Sequence, residues 1–139
     1  MIVNADNLIL GRMATTVVKK ALNGEQIDVV NCERAILTGK KKDVLAKYKQ
    51  RVNRGGPFHG PFYPRMPDRF VRRAIRGMLN YKQERGKEAF KRIMCHISVP
   101  NKFKDSKLET IKEASGERLK TLNYITVAEI CKFLKNRQW

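Results

Sequence analysis

Four arginines, Arg69, Arg72, Arg73 and Arg76, recur at helical spacing, and no carboxylate stands between Asp68 and Glu84. At about 100° per residue they occupy an arc of roughly 100°, opposite Phe70, Val71, Ala74, Ile75, Met78 and Leu79. A merely solvated face interleaves signs so that i and i+4 side chains pair, and this one does not. Arginine presents a planar fork that grips phosphate oxygens bidentately and is less hydrated than an ammonium, so the arc predicts contact with phosphates. Just upstream, Arg51, Arg54 and Arg65 stand among Phe58, His59, Phe62 and Tyr63. Cations beside flat rings are what unpaired bases stack on, although rings in a Pro-rich loop also serve to pin that loop to its own domain. Lys40, Lys41 and Lys42 open a predicted helix, where cations oppose the helix dipole and favour an external anion. Lys82, Arg85 and Lys87 extend the basic run. The candidate contact set is therefore Lys40, Lys41, Lys42, Arg51, Arg54, His59, Phe62, Tyr63, Arg65, Arg69, Arg72, Arg73, Arg76, Lys82, Arg85 and Lys87.

Patterns for other chemistry fail on inspection. Gly39-Lys40-Lys41 lacks the Ser/Thr of a phosphate loop, and Arg34 stands where its first glycine belongs. No G-x-G-x-x-G occurs. His59 and His96 lie 37 positions apart with no C-x-x-C or E-x-x-H beside them, which argues against a metal site. Cys95 and His96 are neighbours in a predicted strand, so their side chains point to opposite faces and make no nucleophile–base pair. The 13 carboxylates are scattered rather than paired for acid–base work. No cofactor and no small-molecule substrate is called for. The cysteines Cys32, Cys95 and Cys131 are an odd number without metal spacing, expected to be buried thiols in a reducing compartment.

The charge balance agrees with the arginine arc. The chain of 139 residues carries 30 Lys+Arg against 13 Asp+Glu, a net +17. Residues 1–39 hold 4 basic and 4 acidic side chains, residues 40–92 hold 17 and 4, and residues 93–139 hold 9 and 5. The excess is thus a localised surface. A domain of this length has a radius of gyration of about 14 Å, and so much like charge in so small a volume calls for a polyanion, with nucleic acid the default. No apolar run reaches the ~18 residues of a membrane span, and Met1 opens into polar residues without a signal-peptide core, so no membrane partner is expected. Hydrophobic residues make up 42%, enough for a folded core, and no repeat, low-complexity tract or linker divides the chain; one domain over 1–139 is expected.

The elements that must position these residues follow from periodicity. A strand at Ile2–Asn4, a helix from about Arg12 to Leu22 ended by Asn23-Gly24, and a strand Ile27–Val30 form a β-α-β unit. A helix over 40–52 places Val44, Leu45, Tyr48 and Val52 on one face. The loop 54–67 holds all but one of the prolines and cannot be regular. Pro67 suits the first turn of a helix running to about Tyr81. A short helix 87–92, a strand Ile93–Val99 closed by Pro100, a last strand at Tyr124-Ile125 and a helix 127–134 complete the chain. Thr126-Val-Ala-Glu129 is a capping box for that helix. Alternating strands and helices predict an α/β fold with a mostly parallel sheet covered on both faces.

Four segments resemble the family of large-subunit ribosomal protein thirteen in its archaeal and eukaryotic form. They are Leu10-Gly-Arg-Met-Ala14, Val29-Val-Asn-Cys-Glu33 with Ile36-Leu-Thr-Gly-Lys40, Phe62-Tyr-Pro-Arg-Met-Pro-Asp-Arg-Phe70, and Arg76-Gly-Met-Leu79 with Arg85-Gly-Lys-Glu-Ala-Phe90. The resemblance implies a three-layer α/β/α fold with a four-stranded parallel sheet. It also implies a structural role in the cytoplasm within the large ribosomal subunit, bound to large-subunit ribosomal RNA and neighbouring ribosomal proteins, with no cofactor. The basic positions of the Phe62–Phe70 motif, with Arg76 and Arg85, become its RNA contacts, and Gly77 and Gly86 either admit RNA backbone or shape turns. Two alternatives stand beside it. An RNA-modifying or RNA-cleaving enzyme would use the same basic surface, but it lacks an acid–base or metal constellation. A regulatory binder of messenger RNAs differs from the first reading only in the RNA it carries.

Overall fold

The computed structural model describes residues 1–56 and 58–135. Its order is β1 (Ile2–Asn4), α1 (Leu10–Leu22), β2 (Ile27–Val30), β3 (Ile36–Thr38), α2 (Lys41–Val52), α3 (Pro67–Met78), α4 (Glu84–Lys91), β4 (Ile93–Cys95), β5 (Tyr124–Thr126) and α5 (Val127–Lys135). The fold is mixed α/β.

Helix α1 shows the local logic most clearly. Leu10, Met13, Ala14, Val17, Val18 and Ala21 fall on one stripe and are all buried. At its end Gly24 takes φ +99°, the Gly24 amide donates to Ala21 O (3.1 Å) and the Glu25 amide to Lys20 O (3.3 Å). That is a Schellman stop, and only glycine adopts its left-handed residue without strain. The chain returns as β2 parallel to β1, with Val3 opposite Val29, and β4 pairs on the far side of β2, with Cys95 opposite Val29 and Ile93 opposite Ile27. Side chains alternate across a strand, so Val3, Ile27, Val29, Ile93 and Cys95 share one face and are buried under the helices. Asp28 and Met94 point the other way, and Met94 stays exposed.

The parallel sheet has three strands, in the order β1-β2-β4, not the expected four. On the β1 edge only a single bridge forms, Val3 to Glu109, where the Asn4 amide donates to Glu109 O (2.9 Å) and the Glu109 amide to Ile2 O (2.8 Å). The strand at 124–126 does not join this sheet. It pairs antiparallel with β3, Leu37 opposite Ile125, in a separate two-stranded sheet. Immediately after β2, Asn31 takes φ +56° and residues Cys32–Arg34 make a 3-10 turn, which swings β3 away from the parallel sheet.

Three element ends also differ from expectation. Strand β4 stops at Cys95 rather than Val99 because Ser98 turns to φ +56° and its amide donates to the Glu33 carboxylate at 3.1 and 3.3 Å. Helix α3 stops at Met78 rather than Tyr81, with Leu79 extended, and α4 begins earlier than expected, at Glu84. The capping box of α5 is half formed. Thr126 Oγ1 accepts the Glu129 amide (3.3 Å), but the Glu129 carboxylate lies 3.2 Å from Lys41 Nζ instead. Helices α1 and α3 pack face to face, and their buried sides join those of the sheet and α5 in one core centred on Met13, Val29, Phe70, Ile75 and Ile130.

Candidate nucleic-acid interface

Helix α3 carries the arginine arc. Its Phe70, Val71 and Ile75 are buried, which commits the opposite side to solvent and fixes where Arg69, Arg72, Arg73 and Arg76 emerge. Three of them lie over aromatic rings from three different segments. Arg72 sits 4.5 Å from the centre of Phe90 in α4, Arg73 4.8 Å from Tyr63 in the preceding loop, and Arg76 4.9 Å from Tyr81 in the following turn. Arg51, on the last turn of α2, repeats the arrangement 5.4 Å from Tyr48. Arg73 also donates to the Phe62 carbonyl (3.0 Å). A ring attracts the cation electrostatically and holds it in one place. The arginines are therefore pre-placed before any anion arrives.

No carboxylate neutralises them. The ion pairs among the described residues are Arg34–Asp6, Lys41–Glu129, Arg92–Glu88 and His96–Asp28, and none involves an arginine between positions 51 and 76. Two clefts flank the ridge made by Tyr63 and Arg73. One, of about 620 Å³, is walled by Arg65, Arg69, Arg72, Arg76 and Phe90; the other, of about 540 Å³, by Tyr48, Arg51, Arg54, Gly77 and Tyr81. Concave surfaces lined by one sign of charge focus the field and concentrate the opposite charge. Arg72 Nε is buried without a hydrogen-bond partner, as is Asp68 Oδ1 one turn before it.

The ridge rests on an aromatic cluster. Tyr48 and Phe70 are 4.9 Å apart at their ring centres, Tyr48 and Tyr63 5.8 Å, and Tyr63 and Phe70 6.0 Å. Burial, reinforced by Tyr63 and opposed by Arg51, raises the Tyr48 hydroxyl above the ordinary tyrosine range. Tyr63, expected as a ring for bases, is thus an anchor: it packs on the core and carries Arg73. Phe62 behaves oppositely and is 71% exposed.

The structure gathers Arg51, Arg54, Phe62, Tyr63, Arg65, Arg69, Arg72, Arg73 and Arg76 around these clefts. The other candidates lie elsewhere. Lys40, Lys41 and Lys42 are at the opposite end of α2, about 15 Å from Arg51 at 1.5 Å per helical residue. Lys41 is engaged by Glu129, whereas Lys40 and Lys42 are exposed. His59 is exposed in the loop, and Lys82, Arg85 and Lys87 are exposed around the start of α4 without lining either cleft. Sequence reasoning missed the roles of Tyr48, Tyr81 and Phe90 as supports for arginines. Helical i,i+3 spacing on α2 could have signalled the Tyr48–Arg51 pair; nothing in spacing signals Phe90 or Tyr81, because their stacks join α3 to the segments after it. Gly86 neither shapes a turn nor is exposed to RNA: it is buried within α4, where a Cβ would strike the Asn80 carbonyl, while a Cβ at Gly77 would meet open space.

Outside this surface the chemistry is sparse. His96 Nε2 is 2.8 Å from Asp28 Oδ1 and its ring packs edge-on against Phe103, with no hydroxyl or thiol bonded to it among the described residues. All three cysteines are buried, and burial pushes the Cys131 thiol up to about 11. No three His, Cys, Asp or Glu side chains among the described residues gather as a metal site, and no described helix is long and apolar enough to cross a membrane.

Residues 1–102 match the family model described as Ribosomal protein L13. The large ribosomal subunit protein uL13 of Methanococcus maripaludis is 45% identical over 138 residues, covering 96% of each chain. That of Methanopyrus kandleri is 44% identical over 131 residues, 93% of this chain and 82% of its own, and that of Haloarcula marismortui 39% identical over 140 residues, 100% and 94%. A match across nearly three-quarters of the chain by the family model, and across almost all of it by these relatives, places this protein in the ribosomal protein L13 family.

Proposed function

We propose that this chain is a structural constituent of the large ribosomal subunit, holding large-subunit ribosomal RNA in the cytoplasm beside neighbouring ribosomal proteins, with no catalytic step and no cofactor. The observation that carries it is the set of ring-braced, carboxylate-free arginines around two clefts. Phosphate contacts supply affinity and position, and RNA shape supplies specificity, because the deep groove of an RNA helix hides base edges from side chains. Arg51, Arg54, Arg65, Arg69, Arg72, Arg73 and Arg76 hold phosphates at separations set by the core beneath α3. Lys40, Lys42, Lys82, Arg85, Lys87 and His59 meet RNA strands farther out, and Lys41 joins them at the expense of its Glu129 pair. The finer architecture belongs to the same reading: a fourth parallel strand built on the Glu109 bridge and helices on both sheet faces, supported by that bridge and by the partial cover over Asp28.

Ultraviolet crosslinking in cells, followed by sequencing of the attached RNA and mapping of the modified peptides, tests it. The expected result is large-subunit ribosomal RNA on peptides from residues 40–92. Predominance of messenger or transfer RNA on those peptides would replace the structural role with a regulatory or enzymatic one.

A further inference from the structure

Aromatic residues around the basic surface divide into two groups. Tyr48, Tyr63, Tyr81 and Phe90 each carry an arginine over the ring and are half-buried or packed by neighbours, apart from the more open Tyr81. Phe58 and Phe62 carry none among the described residues and are 90% and 71% exposed. Two bare phenyl rings are costly to hold in water, and neither belongs to the hydrophobic core.

The segments on either side of Phe58 are joined. Gly56 and Gly60 form an antiparallel bridge, with the Gly60 amide donating to Gly56 O (3.0 Å), and a Cβ at Gly55 would strike the Gly60 carbonyl. The backbone is therefore pinched at its base and Phe58 is carried at the tip. Beneath Phe62 runs a cavity of about 360 Å³ lined by Arg54, Gly55, Gly56, Pro61 and Arg65. That is within the ~300–1,000 Å³ of small-ligand sites, and its charged walls among the described residues, Arg54 and Arg65, are cationic.

We propose that Phe58 and Phe62 form a base-stacking wedge: they stack on unpaired bases of the RNA whose phosphates are held by the ring-braced arginines. The proposal rests on the RNA-binding reading above and adds a division of labour to it. Arginines held against a ring on one side keep donors that suit phosphate oxygens; free rings offer faces, which suit bases. A protein partner would also cover two phenyl rings, but the cations flanking them form no ion pair with a carboxylate among the described residues and favour a polyanion.

The test uses the full chain and two fluorescein-labelled probes at fixed salt: a 12-nucleotide oligoadenylate and a 12-unit abasic ribose-phosphate chain with the same phosphates. Stacking contributes about 5- to 150-fold in affinity per base, so the wild-type chain is expected to bind oligoadenylate tighter than the abasic probe by at least about 5-fold. Phe58→Ala/Phe62→Ala is expected to erase that margin while leaving affinity for the abasic probe and the salt slope unchanged; Phe58→Tyr/Phe62→Tyr is expected to retain it. Both rings are exposed, so neither double variant empties the core. Equal binding of the two probes by the wild-type chain overturns the wedge and leaves phosphate binding standing. Failure of both probes to bind counts instead against the RNA-binding reading. Unchanged oligoadenylate affinity of the Ala double variant, with loss of that variant from assembled large subunits, overturns the wedge and assigns the rings to a protein neighbour.

Discussion

Replacing Arg72, Arg73 and Arg76 together by Ala separates the two things these side chains do. As braces they stack on Phe90, Tyr63 and Tyr81 at 4.5, 4.8 and 4.9 Å. Stacks at solvent-exposed sites contribute about 0.5–1 kcal/mol each, so the triple variant is expected to lose about 1.5–3 kcal/mol. In a domain this size that lowers Tm by about 5–12 °C. As phosphate ligands each arginine displaces counterions, and the log–log salt slope is about 0.7 to 0.9 per phosphate neutralised. Three contacts therefore carry about 2–3 units of slope, and between 50 and 200 mM salt the wild-type chain should lose about 20- to 40-fold more affinity than the variant. Filter binding to large-subunit RNA fragments across that range, beside thermal melts of the free protein, reads both quantities. Arg72→Lys/Arg73→Lys/Arg76→Lys provides the internal control: it keeps three charges and so the slope, but loses the planar stack and fork. A triple-Ala slope within about half a unit of wild type, with Tm lowered as expected, would refute the phosphate role and leave the arginines as internal braces of the fold.

The two glycines of the arginine-rich segment should respond in opposite directions. Gly86→Ala drives a methyl into the Asn80 backbone and is expected to cost at least the ~1–3 kcal/mol of overpacking, whereas Gly77→Ala meets open space within α3 and gains up to about 0.5–1 kcal/mol; urea denaturation checks both. The buried cysteines make stability fall in alkali. Cys131 in the fold holds its proton up to about pH 11, while the unfolded thiol releases it near 8.5, so its contribution is intact below about pH 8.5 and is lost as pH rises toward 11. The urea midpoint should accordingly decline from pH 9 upward, less steeply in Cys131→Ala, and a thiol reagent at pH 8 should label the native chain far more slowly than the unfolded one.

Much of this protein was legible because it is written in short-range terms. The stripe from Leu10 to Ala21, the Asn23-Gly24 stop, Pro67 at a helix start and the unpaired run of arginines on α3 each depend on residues within about one to three helical turns of one another. Periodicity and charge sign therefore suffice for the helices, for the β-α-β unit and for the side of α3 that carries the arginines. What tertiary structure decided joins residues far apart. Strand 124–126 reads as a strand in isolation, yet its antiparallel partner is β3, about 90 positions earlier, because a left-handed Asn31 and a tight turn carry β3 out of the parallel sheet. Strand β4 ends at Cys95 because Glu33, from another segment, captures the Ser98 amide. The same limit governs the site. The sequence places cations and rings in one stretch, but only packing shows that Tyr63 is spent on the core and on Arg73, that Phe90 and Tyr81 hold Arg72 and Arg76, and that Phe58 and Phe62 are left bare. Local propensity is a property of neighbours along the chain, whereas the partner of a strand edge or an aromatic face is chosen by burial across the whole fold.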